Sequence, residues 1–517
     1  TLKRMNTFII SANTDEQKRY YMKNLKSNLL IFLVPLIICI GCKSNTKTTS
    51  NTTETKQPNI IVILTDDMGY ADMDIQGSLD DLKTPHLNDL AETGVRMSAG
   101  YVTASQCMPS RAGLLSGRYQ QRFGLDHNGT IPFPLEEEMI AQRMKDAGYR
   151  TGMSGKWHLE PNRNHHNWIN KNIPEIAGRE KYVDSDVPHN LKIPYLPNNK
   201  GFDFVHEGRF NQYWATHNVD GEPIEPALIN IPGYRLEVQT QSAVTFIDKF
   251  KDEPFFYFLS YYAPHVPLDA TEKYLSRFPG DMPERRRMCL AMVAAMDDGI
   301  GRIKETLRKN NIEDNTLIIF LSDNGAPLKL HKKDLPLSFK GGAWNGSLND
   351  PYIGEKGMVS EGGIRVPFIM NWPNGLPKGK VYDRPVSSLD IAATSLAIAG
   401  QKVPEELDGV NVIPYLNDEV KGDPHKALYW RFWQQSAIRV GDWKYLNFHN
   451  TEFLFNVYND EHEHVNLFAK YPEKAKDLKE KLVQWGSELK HPGISMKDAP
   501  APKQWLPHYF YESLPKE

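Results

Sequence analysis

The run Gln106–Arg118, QCMPSRAGLLSGR, sets a sulfur nucleophile at the mouth of a helix. Pro109 suits a first helical turn, where its missing N–H is no loss and its fixed φ already matches the helix. Cys107 then lies where unpaired backbone N–H groups and the positive end of the helix dipole converge, a natural seat for an anion. Arg111, four residues on, reaches back toward the same point. The helix is expected to be short and amphipathic and to stop at Gly117. Taken singly, Cys107 reads as a small buried hydrophobe and Arg111 as an ordinary surface cation.

Two apolar runs, Asn59–Leu64 (NIIVIL) and Thr316–Leu321 (TLIIFL), end in acidic turns. The first turn is Thr65-Asp66-Asp67-Met68-Gly69 and the second is Ser322-Asp323-Asn324-Gly325. Either alone is an ordinary strand exit. As a pair they fall beyond the carboxyl ends of strands, where ligands gather in open α/β sheets. Three carboxylates and an amide oxygen suit a hard cation such as Ca²⁺. No His is interleaved with them, which disfavours zinc. Three more elements carry cations: Gly155-Lys156-Trp157-His158-Leu159, Ala263-Pro264-His265-Val266-Pro267, and KGMVSEGGIRVP from Lys356. Glycines 357, 362 and 363 in the last let backbone approach something closely.

Cys107-Met108-Pro109-Ser110-Arg111, followed by Leu115-Ser116-Gly117, resembles the signature of the formylglycine-dependent sulfatases of the alkaline-phosphatase-like superfamily. The acidic turns and the three cationic elements match that family's motifs in the family's order. The resemblance implies a sulfuric ester hydrolase in which a formylglycine-generating maturase oxidises Cys107 to 3-oxoalanine. It implies that Asp66, Asp67, Asp323 and Asn324 bind Ca²⁺ together with residue 107. It gives Lys156 and Lys356 the sulfuryl oxygens and Arg111 the formylglycine. His265, with Lys356, would protonate the leaving alcohol, and His158 would take the proton from the second hydroxyl of the hydrated aldehyde. His127, in GLDHNG, is a candidate substrate contact that the family motif does not fix.

A sulfated saccharide, such as an ulvan or carrageenan oligosaccharide, is the expected substrate. Two other readings stay open. One is a phosphoesterase of the same superfamily, which the oxygen-only ligand set and Cys107 oppose. The other is a non-catalytic lipoprotein that binds sulfated glycans through an unconverted Cys107. A thiolate hydrolase is weaker, for want of a local Cys–His plan.

These residues need a scaffold. At 517 residues, 40% hydrophobic and 24% charged, the chain can bury two packed units. A net charge of −3 argues against a nucleic-acid partner. Four cysteines are too few for a disulfide framework, and Cys289 is expected free within a helix. Expected strands at Asn59–Leu64, Val95–Val102, Phe255–Tyr262 and Thr316–Leu321 alternate with expected helices at His86–Thr93, Leu135–Gly148 and Arg285–Asn310. That alternation reads as α/β: a large α/β/α sandwich with a mostly parallel central sheet over 59–403, closed by a helix in Ser387–Gly400. Residues 404–490 read as a smaller C-terminal antiparallel-sheet-and-helix domain. Its expected strands are Ala427–Phe432, Ser436–Val440, Trp443–Phe448 and Glu452–Tyr458, with a helix over Glu473–Leu489. Trp430, Trp433 and Trp443 read as core packing before sugar stacking, and 491–517 as an irregular tail. Pro161–Pro232 has no clear period and is long for a plain loop, so it is expected to shape a substrate pocket.

Residues 22–42, MKNLKSNLLIFLVPLIICIGC, place Lys23 and Lys26 ahead of an apolar core, Leu29–Gly41, that is too short to span a bilayer. This is the plan of a secretory signal peptide. Ile40-Gly41-Cys42 resembles a bacterial lipobox, so Cys42 is expected to carry a lipid, with 43–58 as a flexible tether. Residues 1–21 read as sequence upstream of a start at Met22. The expected location is beyond the inner membrane, on a periplasmic or outer-membrane surface, with the lipid as the only membrane contact.

Overall fold

A computed structural model describes residues 56–339, 342–449 and 451–492, with the backbone alone at 330 and 331. The expected signal segment with Cys42, the sequence before it, most of the tether and the tail beyond 492 lie outside the described residues.

Eleven strands come first: β1 (Asn59–Asp66), β2 (Val95–Met97), β3 (Gly100–Tyr101), β4 (Arg150–Gly155), β5 (Phe204–Arg209), β6 (Gln212–His217), β7 (Pro223–Asn230), β8 (Phe255–Pro264), β9 (Thr316–Ser322), β10 (Phe368–Asn371) and β11 (Lys380–Tyr382). All but β3 form one ten-stranded sheet in the order β11-β2-β10-β9-β1-β8-β4-β5-β6-β7. From β9 to β5 the pairing is parallel; β10, β6 and β7 run antiparallel to their neighbours.

The unbroken apolar run of β1 has a direct cause. Its alternate side chains feed two different cores. Ile60, Val62 and Leu64 pack with the helices Cys107–Ser116, Ile140–Asp146 and Asp390–Ile398, through Leu114, Met144 and Leu396. Ile61 and Ile63 pack with Pro85–Glu92, Arg235–Phe250 and Glu284–Lys309, through Leu87, Phe246 and Ile303. Each such side chain contributes about 1.5–3 kcal/mol by leaving water. The layers are therefore α/β/α, as expected.

Several local expectations change. The helix expected over Leu135–Gly148 is reduced to Ile140–Asp146, because the Lys200 ammonium takes the carbonyls of Leu135 and Glu137, both at 3.1 Å. Val95–Val102 splits: β2 joins the large sheet, while β3 pairs in parallel with β12 (Val386–Ser387). The closing helix begins only at Asp390, whose carboxylate accepts from Ser387 N and Val410 N. Pro161–Pro232 is more than an excursion, since it supplies β5, β6 and β7. The Cys107–Ser116 helix is buried on every side and so is not amphipathic. Cys289 lies buried in the Glu284–Lys309 helix with no disulfide.

The C-terminal strands β13 (Leu428–Phe432), β14 (Gln435–Val440), β15 (Trp443–Phe448) and β16 (Thr451–Asn456) make an antiparallel meander. One face packs Trp430, Leu446 and Phe453 against Tyr101 and Val366; the other packs Ile438, Tyr445 and Leu454 under the Pro472–Ser487 helix. Trp430 is core, its indole donating to Val102 O at 2.7 Å.

Candidate active site

Strand order builds the site. β9, β1, β8 and β4 are adjacent, and all four run in the same direction. Each ends where its motif begins: β9 before Asp323, β1 at Asp66, β8 before His265 and β4 before Lys156. Thr65 pairs with Ser322 across β1 and β9, so two acidic turns remote in sequence leave the sheet side by side. Asp323 N donates to Thr65 O and Asp67 N donates to Asp323 Oδ1, at 3.0 and 3.1 Å. Asp67 turns through φ 65°, a left-handed conformation that Asp tolerates better than most residues.

The helix mouth faces this edge. Cys107 Sγ lies 3.7 Å from Asp67 Oδ1, and the Lys356 ammonium donates to Sγ at 3.0 Å and to both Asp67 oxygens at 2.7 and 2.8 Å. Lys156 donates to both Asp66 oxygens at 2.8 and 2.7 Å. Arg111 donates from Nε to Asp323 Oδ2 at 3.0 Å and from Nη1 to Lys156 O and Ser260 Oγ. Its guanidinium thus spans β9, β4 and β8. His265 Nε2 stands 3.5 Å from Asp67 Oδ2, and His158 lines the cavity beside it. The structure therefore brings together all ten of the residues that the motifs single out for metal and catalysis.

Asp66, Asp67, Cys107 and His265 each offer a ligand atom, and those atoms lie within 4.8 Å of one another. Asn324 donates its Nδ2 to Asp67 Oδ1 at 2.6 Å, while its own Oδ1 is buried with no hydrogen-bond partner. A buried oxygen left unbonded next to two carboxylates fits a cation that takes oxygen ligands.

The charges set one another. Burial pushes Asp66 up, but His265, Lys156, Arg111 and Lys356 outweigh it and hold the carboxyl well below its usual range. Burial, then Asp66, raises Asp323 to about 6, against Arg111. Burial pushes the Cys107 thiol up, and Asp323 adds to it, so the sulfur stays protonated. Burial would lower Lys356, yet Asp67 and its neighbours keep it well above its ordinary value. Burial, then Lys156 and Arg111, holds His158 well below its ordinary value, and its Nδ1 has no partner.

His127 falls elsewhere. Its ring stacks on Trp433, centroids 4.8 Å apart, and its Nδ1 accepts from Gly129 N. Among the described residues, no hydrogen bond or ion pair ties it to the acidic cluster. Its neighbour Asn128 is the one at the helix mouth, accepting from Met108 N at 3.0 Å. Three further contributors carry no motif. Ser260 accepts from Arg111; Asn345 donates to Asp67 O and Pro264 O, at 3.1 and 3.2 Å; and Gln435 of β14 brackets the Lys356 segment through Gly357 O and Val359 N. Nothing local marks them, because each acts through a neighbour distant in sequence.

Buried charge and an oxygen cage beyond the strand ends of an α/β/α sheet define a hydrolase of anionic esters. The chain belongs to the sulfatase family: the model described as Sulfatase matches residues 58–401, and that of the N-sulphoglucosamine sulphohydrolase C-terminal region matches 353–488. It is similar to the uncharacterized sulfatase YdeN of Escherichia coli (strain K12), 32% identical over 410 residues, covering 72% of this chain and 68% of that protein. The N-acetylgalactosamine-6-sulfatase of Mus musculus is 29% identical over 409 residues, 75% of this chain and 71% of that one. Among solved structures, Ps i-CgsB in complex with k-i-k-neocarrahexaose matches with TM-score 0.69 and 31% identity, covering 84% of this chain and 94% of that one. The protein is a sulfatase, an enzyme that hydrolyses sulfate esters.

Proposed function

We propose that this sulfatase removes sulfate from carbohydrate, with a carrageenan-type oligosaccharide as first candidate and ulvan as second, using formylglycine at Cys107 and one Ca²⁺. The observation that carries the cofactor reading is the Cys107 sulfur itself. It sits 3.7 Å from Asp67 in the oxygen cage, yet burial holds it as the thiol, a poor nucleophile. Conversion by a maturase would resolve that mismatch between position and reactivity. The substrate reading leans on the likeness to the carrageenan-oligosaccharide complex.

A sulfate ester resists water because its oxygens repel a nucleophile and its alkoxide leaves poorly. Asp66, Asp67, Asp323 and Asn324 would hold the metal. When present, Ca²⁺ supplies positive charge beside the sulfuryl oxygens and the hydrated formylglycine supplies the attacking hydroxyl. Lys156 and Lys356 bind sulfuryl oxygens and neutralise the charge that builds on them. Arg111 anchors Asp323 and, through it, the floor of the site. His265, part-exposed toward the cavity, would donate a proton to the leaving oxygen, and Lys356 is its partner in that task, staying protonated where burial lowers the hold of His265 on its own proton. His158, held neutral with an open Nδ1, is the base for the return step. Cys42 would carry a lipid that tethers the secreted enzyme beyond the inner membrane.

Protein matured in a bacterial host with its maturase is digested, and the Cys107 peptide is weighed. An aldehyde is expected, and full activity with an intact thiol would sink the cofactor reading. Chelation should abolish turnover and Ca²⁺ restore it. Carrageenan and ulvan oligosaccharides should lose sulfate by mass; hydrolysis of an aryl sulfate with neither glycan touched would overturn the substrate reading.

A further inference from the structure

A cavity of about 440 Å³ opens on Lys156 and His265, a volume that suits a small ligand. Its far wall is made of groups for which the mechanism has no use: Glu160, Glu207, Arg209 and Tyr262. Glu207 lies on β5 directly across from Gly155 at the end of β4, one strand outward from the lysine. The β5–β6 hairpin that carries it closes through Phe210 and Asn211, at φ 51° and 67°. Gly208 sits where an added Cβ would come within 2.2 Å of Gln212 O, so the strands approach too closely there for any side chain.

Among the described residues no side-chain donor bonds either carboxyl, and only the backbone N–H groups of Leu159 and Glu160 reach that of Glu160. Glu160 Oε2 is buried with no hydrogen-bond partner, and among the described residues no side-chain or backbone donor bonds the Glu207 carboxyl. Leaving a buried oxygen such as Glu160 Oε2 unbonded costs about 1–3 kcal/mol. Burial, and then the charge of Glu160, pushes Glu207 up to about 8, with Arg209 and Lys192 opposing. Near neutrality the pair therefore holds a proton, and can both give and accept hydrogen bonds. Arg209 stays over the Tyr262 ring, its Cζ 5.6 Å from the centroid. Carboxyls of this kind repel a second sulfate and match a neutral polyol.

We propose that Glu160 and Glu207 form the subsite that reads the free ring hydroxyls beside the scissile sulfate. The enzyme then selects a sugar ring sulfated once and rejects one carrying a further sulfate at that wall. This rests on the reading of the substrate as carbohydrate.

The test uses the mature full-length enzyme and its Glu160→Gln and Glu207→Gln variants, which keep the side-chain shape. Each is assayed on 4-nitrophenyl sulfate and on disaccharides whose target ring carries one or two sulfates. The ratio of kcat/KM for the singly sulfated sugar to that for the aryl sulfate should fall on the order of 100-fold in each variant. The preference for the singly over the doubly sulfated sugar should shrink with it. An unaltered ratio, or an equal fall on both substrates, would overturn the subsite and leave the sulfatase reading standing. Should the unsubstituted enzyme hydrolyse no sulfated sugar, the carbohydrate reading fails on its own. Saturation-transfer NMR with the unsulfated disaccharide then decides the subsite: signal lost in both variants supports it, while signal kept in them, or absent from the start, overturns it.

Discussion

Two clusters of buried charge flank one stretch of chain. Lys356 opens the segment and belongs to the cluster with Asp66, Asp67, Lys156, Arg111 and Asp323. Glu361 and Arg365, a few residues on, belong to another cluster with Lys444, Glu463, Arg439 and Tyr101. Lys444 is wholly buried, 2.8 Å from Glu361 and 2.9 Å from Glu463. Tyr101 OH donates to Glu361, and Glu361 N donates to Glu463 Oε2 at 2.8 Å. By burial and charge alone the two clusters look alike. They differ in what is left over. The first keeps open atoms, Asn324 Oδ1 and His158 Nδ1, and meets a cavity at Lys156 and His265. No member of the second lines that cavity. A perturbed, buried ion pair is thus a poor guide to chemistry unless some bonding capacity remains and a ligand can reach it.

The sharpest way to break this contrast is Cys107→Ala. Turnover should fall about 10⁴-fold or more, as expected for loss of a nucleophile. Cooperative melting should persist, and an Ala variant that still hydrolyses sulfate esters would end the contrast. The opposite outcome is expected at the second cluster. Lys444→Met removes the cation that Glu361 and Glu463 share, leaving Glu361 only its Arg365 pairing, and should cost about 3–5 kcal/mol by chemical denaturation. KM of the molecules that remain folded should hold; a variant as stable as the parent would show the second cluster to be ornamental.

Acid should also separate the two regions. Burial raises Glu361, but Lys444, Arg365 and Arg439 outweigh it and bring the carboxyl to about 2, against an ordinary 4.5. A depressed carboxyl stabilises fully above 4.5 and loses that contribution as pH falls toward 2. The gap in unfolding free energy between the parent and Glu361→Gln should therefore close, by roughly 3 kcal/mol, over that window. A gap that is constant with pH contradicts the pairing. The smallest effect is expected from Gln435→Ala, which frees the backbone bracket behind Lys356. About a tenfold drop in kcat, with KM for an aryl sulfate little changed, is expected from a positioning residue whose support is worth roughly 1 kcal/mol. Equal loss of stability and rate would make Gln435 merely structural.

Much of the chemistry is legible in the sequence, because each strand of a parallel sheet hands over one short, contiguous turn. Asp66-Asp67, Asp323-Asn324, His265 and Lys156-His158 are readable for that reason. His127 carries no motif that fixes its place, and the structure stacks its ring on Trp433 while its neighbour Asn128 meets the helix mouth. Strand β7 is hard to read because it is largely exposed, whereas β5 and β6 are mostly buried but lie in a segment without a clear period. The early end of the Leu135–Gly148 pattern was equally hidden, since Lys200, far along the chain, takes the carbonyls that the helix needed.

By itself the sequence determined the layered α/β class and the kinds of side chain that meet at the sheet's edge, since apolar runs and strand-end turns are local patterns. Only the tertiary structure decided which carboxylate faces which cation, which groups keep a proton, and that Glu160 and Glu207 share a wall. Those outcomes depend on the lateral order of strands and on how deeply each group is buried. Both are sums over residues far apart in the chain, and no short window of sequence holds them.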